Sequence, residues 1–217
     1  MNRKVILSTI LAAIVVGGAG IGGYYWYQAT HYVSTEDARI DCDQYRVMPQ
    51  ISGELTQIIM KEGQSVQQNE AVAQQDTSNL DPSMMDKAIL RAPITGTIVK
   101  WFNKEHEVVT PGQAVAIVEN LNDTYVSANI EETYIDKIHP GQPVDITVDA
   151  LNGLKMTGTV RKVDQASNST FSLLPAVNTS GNFTKVTQRV RVEIELNKPK
   201  GITLIPGTNV EVKIHIA

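Results

Sequence analysis

Ile51-Ser52-Gly53-Glu54-Leu55, Lys61-Glu62-Gly63 and Val66-Gln67-Gln68-Asn69-Glu70-Ala71-Val72-Ala73 return 43 positions later as Ile94-Thr95-Gly96-Thr97-Ile98, Lys104-Glu105-His106 and Val109-Thr110-Pro111-Gly112-Gln113-Ala114-Val115-Ala116. Laid over one another without a gap, the two stretches share 8 identities in 26 positions, where chance gives about one or two. The apolar pairs Leu55/Ile98, Ile58/Trp101 and Ile59/Phe102 extend the match. Gln68-Asn69 stands opposite Pro111-Gly112, and both suit a turn whose third residue needs positive φ. Each copy reads as strand, turn, strand, with apolar residues to bury. Two such halves facing one another predict a small flattened barrel.

Upstream of the repeat, Arg3 and Lys4 carry the only charges before His31 and Glu36. Val5 to Tyr27 is an apolar run broken only by Ser8 and Thr9. As a helix it spans about 34 Å, enough for a bilayer core of about 30 Å. Tyr24-Tyr25-Trp26-Tyr27 falls where an interfacial aromatic belt sits. Gly17-Gly18-Ala19-Gly20 offers a small-residue cleavage region, but the apolar run continues past it. The expectation is a retained single-pass membrane anchor. Its N-terminus is cytoplasmic, by the positive-inside rule, and its bulk lies on the far side of the membrane.

Downstream, Val144–Val148, Val190–Leu196 and Val210–Ile216 alternate at period two, as half-buried strands do. Thr157–Val163 supplies another strand, and Glu131–Ile138 is a short helical candidate. Pro-Gly-x-x-Val recurs at Pro111-Gly112, Pro140-Gly141 and Pro206-Gly207, which is type II turn chemistry. Gly53, Gly96, Gly112, Gly141 and Gly207 are read as structural turns. Residues 166–185 interrupt the pattern with Ser and Asn clusters among apolar side chains. Phe171, Leu173, Leu174, Asn182, Phe183 and Lys185 in this loop are candidates for substrate or partner contact, since a long loop with apolar residues is often functional.

Composition narrows the function classes. A net charge of −4 and pI near 5.6 argue against nucleic acid. Cys42 is the single cysteine, which excludes an internal disulfide, and it reads as a half-buried strand residue. The four histidines never stand at metal-ligand spacing, and no phosphate loop, nucleophile elbow or zincin motif occurs. Glu36-Asp37 and Glu131-Glu132 are adjacent in sequence, so they do not share a face. No cofactor, metal or catalytic residue is expected.

The two-half architecture resembles biotinyl/lipoyl domains, and the chain as a whole resembles the HlyD-type periplasmic adaptors (membrane fusion proteins), in their EmrA-like multidrug-efflux branch. The matching stretches are Thr35-Glu36-Asp37-Ala38, Pro49-Gln50-Ile51-Ser52-Gly53, Arg91-Ala92-Pro93-Ile94-Thr95-Gly96 and Val126-Ser127-Ala128-Asn129-Ile130-Glu131-Glu132-Thr133. Pro140–Val144, Phe171-Ser172-Leu173-Leu174-Pro175 and Gly181-Asn182-Phe183-Thr184-Lys185-Val186-x-Gln188-Arg189-Val190 follow in family order. The resemblance implies a mainly β fold: an N-terminal transmembrane helix, a lipoyl-like β-sandwich of two half-motifs, and a small antiparallel β-barrel. It implies a place in the bacterial inner (cytoplasmic) membrane with the bulk periplasmic or extracytoplasmic, and no bond chemistry. It also implies an inner-membrane transporter partner of the major facilitator type, an outer-membrane channel where a full hairpin exists, and homo-oligomers (trimers or hexamers). The expected division is 1–30 anchor, 31–45 linker and first barrel strand, 46–76 first half-motif, 77–90 residual hairpin connection, 91–119 second half-motif, and 120–217 barrel and membrane-proximal strands.

Two departures stand out. The family's long coiled-coil hairpin is replaced by Thr77–Leu90, and the abrupt join favours removal or omission of a hairpin over a naturally short one. His106 replaces the family's turn glycine, which the first half keeps as Gly63, so that turn is expected to differ in shape. Two other functions remain open: a carrier domain acylated at Lys87 in Asp86-Lys87-Ala88, and a membrane-anchored binding module.

Overall fold

The computed structural model describes residues 3–78, 80–167, 170, 187–198 and 202–216, with residues 3–11 and 13 described as backbone only. In chain order the elements are α1 (Arg3–His31), β1 (Tyr32–Val47), β2 (Gly53–Ile58), β3 (Ser65–Val66), β4 (Ala71–Gln75), β5 (Ile89–Arg91), β6 (Gly96–Trp101), β7 (Val108–Val109), β8 (Ala116–Glu131), β9 (Pro143–Val148), β10 (Leu154–Ser167), β11 (Arg189–Leu196) and β12 (Asn209–His215). Short 3₁₀ segments occupy Pro82–Ala88, Glu132–Lys137 and Asp149–Leu151. The helical candidate at Glu131–Ile138 is thus a 3₁₀ turn and not an α-helix. Among the described residues no helix is long and apolar enough to cross a membrane; the apolar run Val5–Tyr27 starts on the backbone-only part of α1, residues 5–11 and 13.

The chain divides into two compact units, Ile40–Tyr125 with Pro199–Gly207, and Met1–Arg39 with Val126–Lys198 and Thr208–Ala217. The first unit is the sandwich built by the repeat. Its two copies are related position by position. β2 pairs with β7 through Gly53↔Val109, and β3 with β6 through Val66↔Gly96, the same pair with the copies exchanged. Leu55↔Gln75 in β2–β4 answers Ile98↔Val118 in β6–β8. The core reflects this. Leu55 and Ile98, Val66 and Val109, Val72 and Val115, Ala73 and Ala116 are all buried together. Ile59 and Phe102 break the expectation of burial: both are exposed, since each sits just past its strand, where the backbone amide bonds to Val72 and Val115 respectively.

The copies also cross-brace one another. His106 donates its amide to Leu55 and Gly63 donates its amide to Ile98, at 2.7 and 2.8 Å. The Glu62 carboxylate accepts from the Trp101 amide at 2.7 Å, and Glu105 from the Ile58 amide at 2.8 Å. The identity of Glu62 and Glu105 in the repeat therefore has a physical cause: each satisfies the end of the other copy's strand. Gly63 has φ 83° and His106 φ 71°. The two turns share one left-handed conformation, so the shape difference expected from His106 does not arise. The His106 imidazole reaches Glu54 Oε1 at 2.9 Å.

Gly112, Gly141 and Gly207 hold φ of 87°, 94° and 86°, and Asn69 matches Gly112 with 67°. Gly53 and Gly96 do not turn; they open β2 and β6. What requires glycine there is close approach. A Cβ on Gly96 would stand 2.4 Å from the Glu119 carbonyl oxygen, and one on Gly53 3.3 Å from Gln75 Nε2. Cys42 is buried, not half-buried; burial, reinforced by a hydrogen bond to Glu119, pushes its thiol up to about 12.

In the second unit the strand order runs β1, β12, β9, β10, β11, β8, and β8 pairs again with β1, closing a six-stranded ring. Period-two alternation fills it: Val144, Ile146 and Val148 from β9, Val192 and Ile194 from β11, and Val212 and Ile214 from β12 are buried. Asn152 and Gly153, both at positive φ, turn the chain from β9 into β10.

Candidate functional site

Three of the family-like stretches, distant in sequence, meet on the barrel. In β1 the register against β12 slips between Thr35 and Ala38, so Glu36-Asp37 forms a bulge; bulges re-aim side chains. Asp37 there accepts from Asn129 Nδ2 at 3.1 Å through Oδ1, and its Oδ2 is ion-paired with Arg189. Thr35 Oγ1 donates to the Asn129 carbonyl and accepts from the Asp37 amide, both at 3.1 Å. The Glu132 amide donates to the Gln188 carbonyl at 2.9 Å. Beside this network lies a cleft of about 240 Å³ lined by Val33, Ser34, Thr35, Asn129, Ile130, Glu131, Tyr134 and Arg189.

The cleft is open and of mixed charge. Asp37 and Arg189 are each about half exposed, so their pairing contributes about 1 kcal/mol or less. Nothing in it resembles a nucleophile with its base or a ligand cage, and among the described residues no cluster of three or more His, Cys, Asp or Glu could hold a metal. Its chemistry is that of a surface that pins β1, β8 and the start of β11 together. Sequence reading quoted Thr35–Ala38, Asn129 and Arg189 as motif pieces but did not join them. The bulge that brings Asp37 round depends on β12, and no local signal announces it.

The other candidate residues fare differently. Phe171, Leu173, Leu174, Asn182, Phe183 and Lys185 lie outside the described residues. Lys87 sits exposed in the last turn of the 3₁₀ segment Pro82–Ala88, next to buried Ala88. It is not at the tip of a tight hairpin, where an acylated lysine would have to project. That segment is self-capped: Asp81 Oδ1 accepts from the Ser83 amide and hydroxyl, and Asp76 does the same for Ser78. Those bonds hold both carboxyls below the usual carboxylate range. Arg91 ties the segment down, reaching Asp86 at 2.8 Å and the Asn69 carbonyl at 3.1 Å. Strand pairing places Ile89 and Leu90 in the sandwich, opposite β4, and not in the connection.

Known proteins share this arrangement. A sequence profile described as "RND MFP, barrel-sandwich hybrid domain" matches residues 43–120, and one described as "AAEA-like beta-barrel domain" matches residues 123–215. The Bacillus subtilis protein named "Putative efflux system component YhbJ" is 38% identical over 218 residues, covering 99% of this chain and 94% of its own. The multidrug export protein EmrA of Escherichia coli is 36% identical over 115 residues, 52% of this chain but 30% of its own length. Among solved structures, the periplasmic adaptor protein EmrA superposes with a TM-score of 0.56 at 13% identity over 86% of this chain and 99% of its own. MacA of Actinobacillus actinomycetemcomitans gives 0.67 at 16% identity over 86% and 80%. With YhbJ aligned nearly end to end and both domain profiles matched in order, this chain belongs to the membrane fusion protein family of efflux adaptors.

Proposed function

We propose that this chain is the membrane-anchored adaptor subunit of an efflux pump, coupling an inner-membrane transporter to an export path by docking and self-association. The carrying observation is the family order of sandwich and barrel along the whole described chain, shared with a relative named for an efflux system. The role is that of a scaffold: the sandwich and barrel are rigid bodies that pack against neighbours, and no step of bond chemistry is assigned to them. The anchor is α1. Its support is the run Val5–Tyr27, the Arg3-Lys4 pair before it and the aromatic cluster after it. On this reading the N-terminus is cytoplasmic and residues 31–217 lie outside.

The partner is a transporter of the major facilitator type, and the assembly is a trimer or hexamer. The segment carrying Phe171, Leu173, Leu174, Asn182, Phe183 and Lys185 contacts the substrate or the transporter. Residues 46–76 and 91–119 act as the two half-motifs, and 120–217 as the barrel. The short connection is natural to this chain. Its capped and tethered turn is a folded element, and the 218-position alignment with YhbJ leaves no room for an inserted hairpin there. This reading takes the place of the removal or omission of a hairpin that the sequence alone favoured. An adaptor without a hairpin docks on a membrane-proximal partner.

Deletion of the gene, with plasmid rescue, tests the function. The deletion strain should become several-fold more sensitive to at least one toxic compound across a panel, and the full chain should restore resistance. Unchanged sensitivity across the panel would favour a membrane-anchored binding module with no transport role.

A further inference from the structure

Where α1 meets the barrel, helix and strand join without a linker: His31 ends α1 and Tyr32 begins β1. The junction is clamped by a chain of ring contacts. Tyr27 stacks on His31 with centroids 4.0 Å apart, and Tyr32 meets His215 edge-on at 4.8 Å. Lys213 Nζ lies 4.1 Å from the centre of the Tyr32 ring. The Ile216 amide donates to the His31 carbonyl at 2.9 Å, so the end of β12 is bonded to the end of the helix. Two acidic groups share this face: Asp145, opposite Lys213 in the β9–β12 register and bonded to His215 Nε2 at 2.8 Å, and Glu211, two residues before Lys213 on β12. Ser34 is the other neighbour across from Lys213. The His31 Nδ1 contact to the Tyr27 carbonyl leaves Nε2 as that ring's second polar atom.

Distance along the helix gives this cluster a depth. Tyr24, Tyr25, Trp26 and Tyr27 are exposed and mark the edge of the hydrocarbon if α1 is the anchor. His31 is four residues beyond Tyr27, about 6 Å at 1.5 Å per residue. The headgroup layer on each side of a bilayer is about 5–7 Å thick. Tyr32, Lys213 and His215, packed against the helix end, therefore stand among lipid phosphates.

We propose that Tyr27, His31, Tyr32, Lys213 and His215 form a collar that binds the phosphate of an anionic phospholipid headgroup, Lys213 supplying the charge and the aromatic rings the interfacial seat. The cation held over the Tyr32 ring is a pre-positioned ammonium, and a basic group at an anionic membrane surface gains about 1 kcal/mol, roughly a fivefold preference. The collar rests on the reading of α1 as the membrane anchor. It fixes how far the barrel stands from the bilayer.

Lysine footprinting on the full chain tests this. The protein is reconstituted into nanodiscs of phosphatidylcholine with or without phosphatidylglycerol, and amine acetylation is read by mass spectrometry, with Lys61 of the sandwich as reference. The expected result is a fall of about fivefold in Lys213 labelling when phosphatidylglycerol is present, with Lys61 unchanged. Co-elution with the discs but equal Lys213 labelling in both lipids overturns the collar and leaves the anchor standing. Failure to co-elute overturns the anchor and the collar with it. Equal protection in detergent by inorganic phosphate assigns the site to free phosphate and overturns the lipid proposal.

Discussion

Gly96 and Gly53 occupy equivalent places in the repeat, yet their tolerance to a methyl group differs. At Gly96 the obstacle is backbone, the Glu119 carbonyl; at Gly53 it is the far end of the Gln75 side chain. Gly96→Ala should cost about 2 kcal/mol, since strand β8 must shift, and Gly53→Ala under about 1 kcal/mol; urea unfolding of the two variants measures the difference. Cys42 gives a second prediction. With its thiol raised to about 12 by burial and Glu119, it should resist a disulfide reagent at about pH 8 in the folded state and react fully in denaturant. Fast labelling of the native protein would contradict the burial. At this scale the sequence carried the positive-φ turns well, because Pro-Gly and Asn state their backbone demands locally. The need for glycine at 53 and 96 was visible as identity but misread as turning, because what crowds them is a residue more than 20 positions away. The depth of Cys42 was illegible for the same reason.

At the scale of elements, the repeat was legible because its apolar positions and turn residues recur at one spacing. What the pattern could not state is that each copy completes the other. Glu62 and Glu105 show this: both are exposed polar residues by any local reading, and both bond an amide of the opposite half. Glu62→Ala and Glu105→Ala should each lower stability by about 1 kcal/mol, whereas the Gln variants, which keep an oxygen acceptor, should lose less than half of that. Equal loss in Ala and Gln variants would show that charge, and not the cross-brace, is what matters. The 3₁₀ segment Glu132–Lys137 lies inside the expected helix Glu131–Ile138, where Ile135 and Ile138, three apart, suit either geometry. The Asp37–Asn129–Arg189 network stayed hidden because its bulge arises from pairing with β12, more than 170 residues away in the chain.

At the scale of the whole molecule, the chain comprises a sandwich whose halves exchange bonds, a closed six-stranded barrel, and a helix bonded directly into that barrel. The adaptor reading rests on the family match, sandwich and barrel in order with a relative aligned nearly end to end. The measurement that tests this most directly is affinity purification of the full chain from native membranes after brief in-cell cross-linking. The account predicts a cross-linked homo-oligomer together with one polytopic transporter, recovered in near-constant proportion to the tagged chain. Recovery of a monomer with no integral membrane partner would contradict it.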